Sequence, residues 1–321
     1  MLSDRYDFSG FTSLAQSSDG RFTVGRDGVT EILSPADRRS EFIRHGERTD
    51  VRLLTAIGPQ PLYPLSEPRF TGPATAVLMD LDGTSVQSET FWVWIIEKTL
   101  RELCGRPGFS LEDADLPFVS GFSVSEHLRY GIDKYCPGAS LDAARQIYHR
   151  ITAEEMQLIL DGRGNAAAFR PAPHLKEFLL ALKAAHVKIG LVTSGLYVKA
   201  MPEIVAAFRT LDMGDPLAFY DAIITAGTTY IPGRQAGTPG EIGAKPHPWL
   251  YAEIAHVGLG LTDADDGHVV GLEDSSAGVL SVALAGYPVI GMDGGNIAAA
   301  GLNGLLAARH GDLLAVLDDI L

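Results

Sequence analysis

Only two of the 321 residues are cysteine, Cys104 and Cys136. So few thiols exclude a disulfide framework, and both are expected to be small buried hydrophobes in a reducing compartment. Positive charge is scarce too. Lys and Arg number 26 against 40 Asp and Glu, a formal net charge of −14. Such a chain has no electrostatic footprint for nucleic acid or an anionic membrane. An anionic ligand would need local cations or a metal, because the global field repels it. Long apolar runs are also missing, and none reaches the ~18 residues of a membrane span. The opening MLSDRYDFSGFTSLAQ has no basic segment followed by an apolar one, so no secretory leader is expected. These absences predict a soluble, cytoplasmic protein and leave its oligomeric state unknown. Hydrophobic residues make up 46%, enough for a sizeable core and more than one domain.

Residues 1–72 read as an N-terminal extension, partly β, with no chemical motif and no role assigned. Arg21–Gly25 and Val29–Leu33 flank Arg26-Asp27-Gly28, an Asp-Gly hairpin signal. The arginine-rich stretch Asp37–Arg52 reads as a helix or a solvated face. Pro59 to Pro73 reads as a linker.

From Ala74 the pattern becomes α/β. Ala76–Met79 is a short apolar run that fits a buried strand. Residues 85–170 look mainly helical, with segments at 89–104, near 123–135 and at 140–160; Ser88 is a candidate cap for the first. Strand and helix then alternate. Strands are expected at Val187–Val192, Ala222–Thr225, Val269–Leu272 and Pro288–Gly291. Helices are expected at Leu175–Ala185, Tyr197–Phe208, Pro248–Val257 and Ser276–Ala285. Alternation of this kind means parallel strands joined by right-handed crossovers, with ligands at the carboxyl ends of the strands. The expected organisation is an α/β core, Rossmann-like and doubly wound, over 73–84 and 171–321, with 85–170 inserted.

Four strand ends or helix starts carry polar residues of one kind. They are Asp80-Leu81-Asp82-Gly83-Thr84, Thr193-Ser194-Gly195, Lys245-Pro246 and Glu273-Asp274-Ser275. Asp80 and Asp82, two apart on an extended segment, point the same way. Gly83 permits a tight turn and Thr84 can satisfy its backbone. With Glu273 and Asp274, three or four carboxylates share one site. Uncompensated, they would repel and shift their own protonation. A hard divalent cation resolves this, and oxygen-only ligands favour Mg²⁺. Lys245 and Thr193 supply a cation and a donor for phosphate oxygens, with Ser194 beside them. These parts suit phosphoryl transfer, for which a carboxylate nucleophile forming an aspartyl-phosphate is one route.

The same residues carry a resemblance. Asp80-Leu81-Asp82-Gly83-Thr84, Thr193, Lys245-Pro246 and Glu273-Asp274-Ser275-Ser276-Ala277-Gly278 resemble the four motifs of the haloacid dehalogenase superfamily. The likeness runs from residue 74 to about 310, roughly three quarters of the chain. The EDSSAG run and the helical insert behind the first motif look most like its beta-phosphoglucomutase and small-phosphatase branch. The resemblance implies Asp80 as nucleophile and Asp82 as general acid and base. It also implies Mg²⁺ held by Asp80, the Asp82 carbonyl and Asp274 with Glu273 nearby, and residues 85–170 as a mobile cap. Departures are Gln87 in place of a common Asp, Ala244 in place of Gly, and about ten extra residues between Ala226 and Ala244.

The function expected from these residues is a phosphatase on a small phosphorylated metabolite. The alternative is a sugar phosphomutase, which binds a second phosphate. In that family an arginine typically follows the serine of the first cap loop; here Val124 follows Ser123, although Arg129 or Arg150 could substitute. A dehalogenase is disfavoured by Asp82, and a catalytically retired binding protein by the intact set. Phe91, Trp92, Trp94 and Ile95 read as cap core. His127 and Arg129 read equally as substrate contacts or a solvated face. His247 reads as a loop residue near the site with no metal role. The segment 227–243 reads as either a mobile surface loop or a flap.

Overall fold

A computed structural model describes residues 2–54, 60–115, 124–165, 169–237 and 243–321. They form two compact units. Residues 1–85, 172–200 and 213–321 make the first, and residues 86–171 with 201–212 make the second. No helix among the described residues is long and apolar enough to cross a membrane.

The first unit begins with an antiparallel sheet in sequential order: β1 (Thr12–Leu14), β2 (Glu31–Ser34), β3 (Ser40–His45), β4 (Arg48–Leu53) and β5 (Leu62–Leu65). Side chains alternate between its faces with the period of two that a strand imposes. Leu33, Phe42 and Val51 join the large core cluster that also holds Val279, Leu280 and Ala300. Val29, Ile32 and Ile43 pack separately on Leu14 and Phe22.

Three sequence expectations for this region are corrected. Arg21–Gly25 is not a strand; β2 pairs with β1 instead, and Gln16 and Thr23 make only an isolated bridge. Asp37–Arg52 is not a helix, because it supplies β3 and β4. Arg52 is buried and bonded at 2.9 Å to both Glu41 and Asp19, while Arg38, Arg39, Glu47 and Arg48 are exposed. The proline-dotted segment contains β5, where Pro64 is tolerated because an edge strand leaves a row of N–H groups unused.

The central sheet of this unit has the order β12-β11-β10-β9-β6-β13-β14-β15. Its strands are β6 (Ala76–Asp80), β9 (Lys188–Leu196), β10 (Ala222–Ala226), β11 (Thr228–Ile231), β12 (Arg234–Gly237), β13 (Val269–Glu273), β14 (Val289–Met292) and β15 (Leu306–His310). The six from β10 to β15 in that spatial order, leaving aside the β11–β12 hairpin, pair in parallel. All five residues of β6, β10 and β13 are buried, as expected of strands covered on both faces. The expected loop at 227–243 is largely the β11–β12 hairpin, which adds two antiparallel strands to the sheet edge. Residues 238–242 of that segment lie outside the described residues.

In the second unit, helices Glu89–Leu103, Val124–Tyr135 and Leu141–Leu160 pack together beside a small ribbon of β7 (Val86–Gln87) and β8 (Arg170–Pro171). Ser140 caps the last helix through its side chain, whereas Ser88 makes no side-chain cap bond to the first. Phe91 and Ile95 are buried and Phe91 meets Phe169 at 4.3 Å between ring centroids; Trp92 and Trp94 are half-buried around them. His127 is buried against Tyr148 and Arg129 is exposed; Ser123, before this helix, lies outside the described residues. The expectation for the cysteines is corrected. Cys104 and Cys136 are half-buried and bonded to each other, with Cα atoms 5.6 Å apart. Each follows the last residue of a helix, and packing of those two helix ends brings the thiols together.

Candidate active site

The site follows from strand register. Parallel pairing sets Asp80 beside Val192 and Met79 beside Leu272. The next residues along, Thr193, the last buried residue of β9, and Glu273, the last residue of β13, therefore flank Asp80 on the carboxyl side of the sheet, where ligands gather in open parallel sheets. Gly83 turns the chain immediately after β6. It has φ +90°, and a Cβ there would collide with the Asp274 carboxylate. Ser85, rather than Thr84, secures this turn. The Ser85 hydroxyl donates to the Asp80 carbonyl, while the buried Thr84 Oγ1 has no partner among the described residues.

Lys245 reaches into this end of the sheet. Its ammonium donates to Asp80 Oδ1 and, at 2.6 Å, to Glu273 Oε1. Its backbone N–H donates to Ser194 Oγ at 3.1 Å. Thr193 Oγ1 donates to Asp82 Oδ2 at 3.2 Å and accepts from the Gly195 N–H at 2.9 Å. Asp80 is buried while Asp82 is exposed, so the two carboxylates share one turn but stand in different surroundings. Ser275 caps helix Ser276–Leu284, accepting from the Gly278 N–H at 3.1 Å and donating to Glu273 Oε2 at 3.0 Å. The structure thus brings together Asp80, Asp82, Thr193, Ser194, Lys245, Glu273 and Asp274.

Oxygens of Asp80, Glu273 and Asp274 lie within 4.8 Å of one another, against one ammonium group. Burial raises the Asp80 carboxyl well above the usual range and Glu273 raises it further; Lys245 opposes both. Burial, then Glu273, pushes Asp274 up to about 7. Burial alone would lower Lys245, but Asp80 and Glu273 overcome that and hold it above its ordinary value. Asp274 Oδ1 is buried without a hydrogen-bond partner among the described residues. Crowded, raised carboxyls and an orphaned oxygen fit a bound hard divalent cation, which supplies the missing positive charge.

Four contributors escaped the sequence reading. Tyr251 Oη donates to Glu273 Oε1 at 2.6 Å. Asn296 Oδ1 accepts from the Ser276 N–H at 2.7 Å, and a Cβ on Gly295 would overlap the Asp274 carbonyl. The signal for these two was the Gly294-Gly295-Asn296 run just after strand β14, another strand end. His247, expected near the site, is buried, and its Nδ1 lies 3.0 Å from Tyr63 Oη of β5. Tyr63 gave no signal, because nothing local ties it to residue 247.

The family model of haloacid dehalogenase-like hydrolases matches residues 77–210, which include Asp80, Asp82 and Thr193. No curated protein matches the sequence. Among solved structures, a HAD-superfamily hydrolase of subfamily IA from Geobacter sulfurreducens is similar over 79% of this chain and 100% of its own, at 18% identity and TM-score 0.55. A predicted phosphoglycolate phosphatase from Haemophilus somnus covers 77% and 98%, at 17% and 0.57. A Thermotoga maritima protein provisionally assigned as a beta-phosphoglucomutase covers 77% and 99%, at 19% and 0.52. At these identities the three share the fold.

Proposed function

We propose that this haloacid dehalogenase-like hydrolase is a Mg²⁺-dependent phosphatase that acts on a small phosphorylated metabolite through an aspartyl-phosphate. One observation carries the reading. Lys245 is bonded to Asp80 and Glu273 at the carboxyl ends of adjacent parallel strands, with Asp274 alongside.

In this mechanism an Asp80 carboxylate oxygen attacks phosphorus and the ester oxygen leaves. Thr193, Ser194 and Lys245 hold the phosphoryl oxygens and offset their charge. Asp82, exposed and hydrogen-bonded to Thr193, protonates the departing oxygen. As a carboxylate it then takes a proton from the water that attacks phosphorus, which frees phosphate and regenerates Asp80. Asp80, the Asp82 carbonyl and Asp274 would hold Mg²⁺ with Glu273 nearby; when bound, it neutralises charge on the transferring group.

The mutase reading requires a second phosphate site. Val124, at the start of its helix, carries no charge, and Arg150 is already bonded to Glu102 and Glu154, which leaves exposed Arg129 of the same helix as Val124 as the one candidate of the three for a second phosphate. This supports transfer to water. We assign residues 85–170 the role of substrate-selecting cap. The test is a phosphatase screen over sugar phosphates, nucleotides and other phosphometabolites with Mg²⁺. Release of inorganic phosphate is expected. Interconversion of glucose phosphates with almost no phosphate released would replace this reading with the mutase.

A further inference from the structure

The Lys245 turn is held from both ends. On its amino side, Ser194 Oγ accepts the Lys245 N–H. The His247 N–H donates to the Ala244 carbonyl at 3.0 Å and closes the turn around Lys245. The His247 carbonyl in turn accepts from Ser281 Oγ at 2.6 Å, and Ser281 is fully buried in helix Ser276–Leu284. The His247 side chain has a different partner. Tyr63, on β5 at the edge of the N-terminal sheet, places its hydroxyl 3.0 Å from Nδ1, with the two rings 6.0 Å apart and nearly perpendicular. Burial raises the phenol and lowers the imidazole, so both are neutral, and the phenol donates to Nδ1 in the tautomer that carries the ring proton on Nε2.

We propose that Tyr63 and His247 are positioning residues for Lys245, so that the N-terminal sheet fixes the ammonium group that engages the phosphoryl oxygens. The inference rests on the phosphatase reading, in which Lys245 binds phosphate. It gives residues 1–72 a part in the reaction that their sequence does not suggest. The physical reason is leverage. Lys245 is two residues from His247, and a lysine side chain has four rotatable bonds, so its reach to Asp80 and Glu273 depends on a fixed backbone origin. Catalytic geometry is sensitive to displacements of about 1 Å. The part-buried tyrosine–histidine bond, added to the Ser281 and Ser194 contacts, restrains the turn further.

The experiment compares Tyr63→Phe, His247→Leu, His247→Asn and Lys245→Met in the full chain with Mg²⁺ present. It measures kcat, KM, inhibition by inorganic phosphate, and thermal midpoint. Tyr63→Phe keeps the ring and loses only the hydroxyl. It is expected to weaken phosphate inhibition and lower kcat/KM by about three- to tenfold, the size of one hydrogen bond. His247→Leu should do the same, and combining the two should cost no more than either alone. His247→Asn, which keeps an acceptor near Nδ1, should recover most of the loss even if it melts lower. In the Lys245→Met background, Tyr63→Phe should have no further effect on phosphate inhibition. Unchanged phosphate inhibition and kcat/KM in Tyr63→Phe and His247→Leu would overturn the inference, as would a lowered thermal midpoint with kinetics intact. If Tyr63→Phe fails to fold, the contrast between His247→Leu and His247→Asn decides, and equal kinetics in those two would overturn it. A fully active Lys245→Met would instead remove the phosphatase reading on which the inference stands.

Discussion

The Glu273 carboxylate lies directly over Gly278, and a Cβ at that position would overlap all three atoms of the carboxylate group. A buried carboxylate bonded to Lys245, Tyr251 and Ser275 therefore uses the absence of a side chain on the helix that follows it.

Replacing that glycine tests the packing directly. Gly278→Ala must drive Glu273 off its three partners. The expected result is a stability loss of about 1–3 kcal/mol, the usual size of an overpacking defect, together with weaker Mg²⁺ activation. Gly237→Ala, where a Cβ meets nothing within 4 Å, serves as the control. Thermal melts and Mg²⁺ titrations of both variants check it; identical behaviour would show that Glu273 is not confined as described.

The raised carboxyls give a pH dependence with a definite sign. Asp274 has a folded-state pKa of about 7 against an ordinary 3.8. A raised carboxyl binds its proton more tightly in the folded state, so its contribution is fully present below the ordinary value. It is lost as pH climbs toward 7. The metal-free protein should therefore melt progressively lower across this window. Added Mg²⁺, which prefers the ionised group, should raise the melting temperature more at about pH 8 than at about pH 5. Equal Mg²⁺ shifts at both pH values would contradict the assignment. EDTA should abolish turnover, and Ca²⁺ should inhibit because its looser coordination spoils in-line geometry.

Asp82→Asn separates the acid from the nucleophile. Formation of the phosphoenzyme should survive better with p-nitrophenyl phosphate, whose leaving group needs no proton, than with an alkyl phosphate. Its hydrolysis should stay slow, so the phosphoenzyme accumulates. Rapid-quench kinetics with the two substrates reads this. Equal losses for both would take the proton transfer away from Asp82.

The site was legible because its residues are tied locally to apolar strands. Asp80, Thr193 and Glu273 each stand at the end of a run of buried residues, and parallel pairing then does the assembly. The N-terminal sheet was not legible for the opposite reason. Arg52 and Glu41 look solvated one at a time, and only the pairing of β3 with β4, which sets them opposite each other, shows them neutralising one another. Pro64 disguised an edge strand. The Cys104–Cys136 bond joins residues 32 apart through helix packing, and Tyr63 meets His247 across 184 residues. Gly233, at φ +82° between β11 and β12, marked a turn whose flanking strands were too short to read as a hairpin.

The most direct measurement is chemical identification of the phosphorylated residue. Enzyme with Mg²⁺ is mixed with a substrate found in the screen, quenched in acid within one turnover, and treated with borohydride, which reduces an acyl phosphate to an alcohol. Peptide mass spectrometry should find homoserine at position 80 in the wild type. In Asp80→Asn, which should fold normally, there should be neither homoserine nor turnover. Turnover retained in Asp80→Asn, or phosphate trapped on any other residue, would contradict the account.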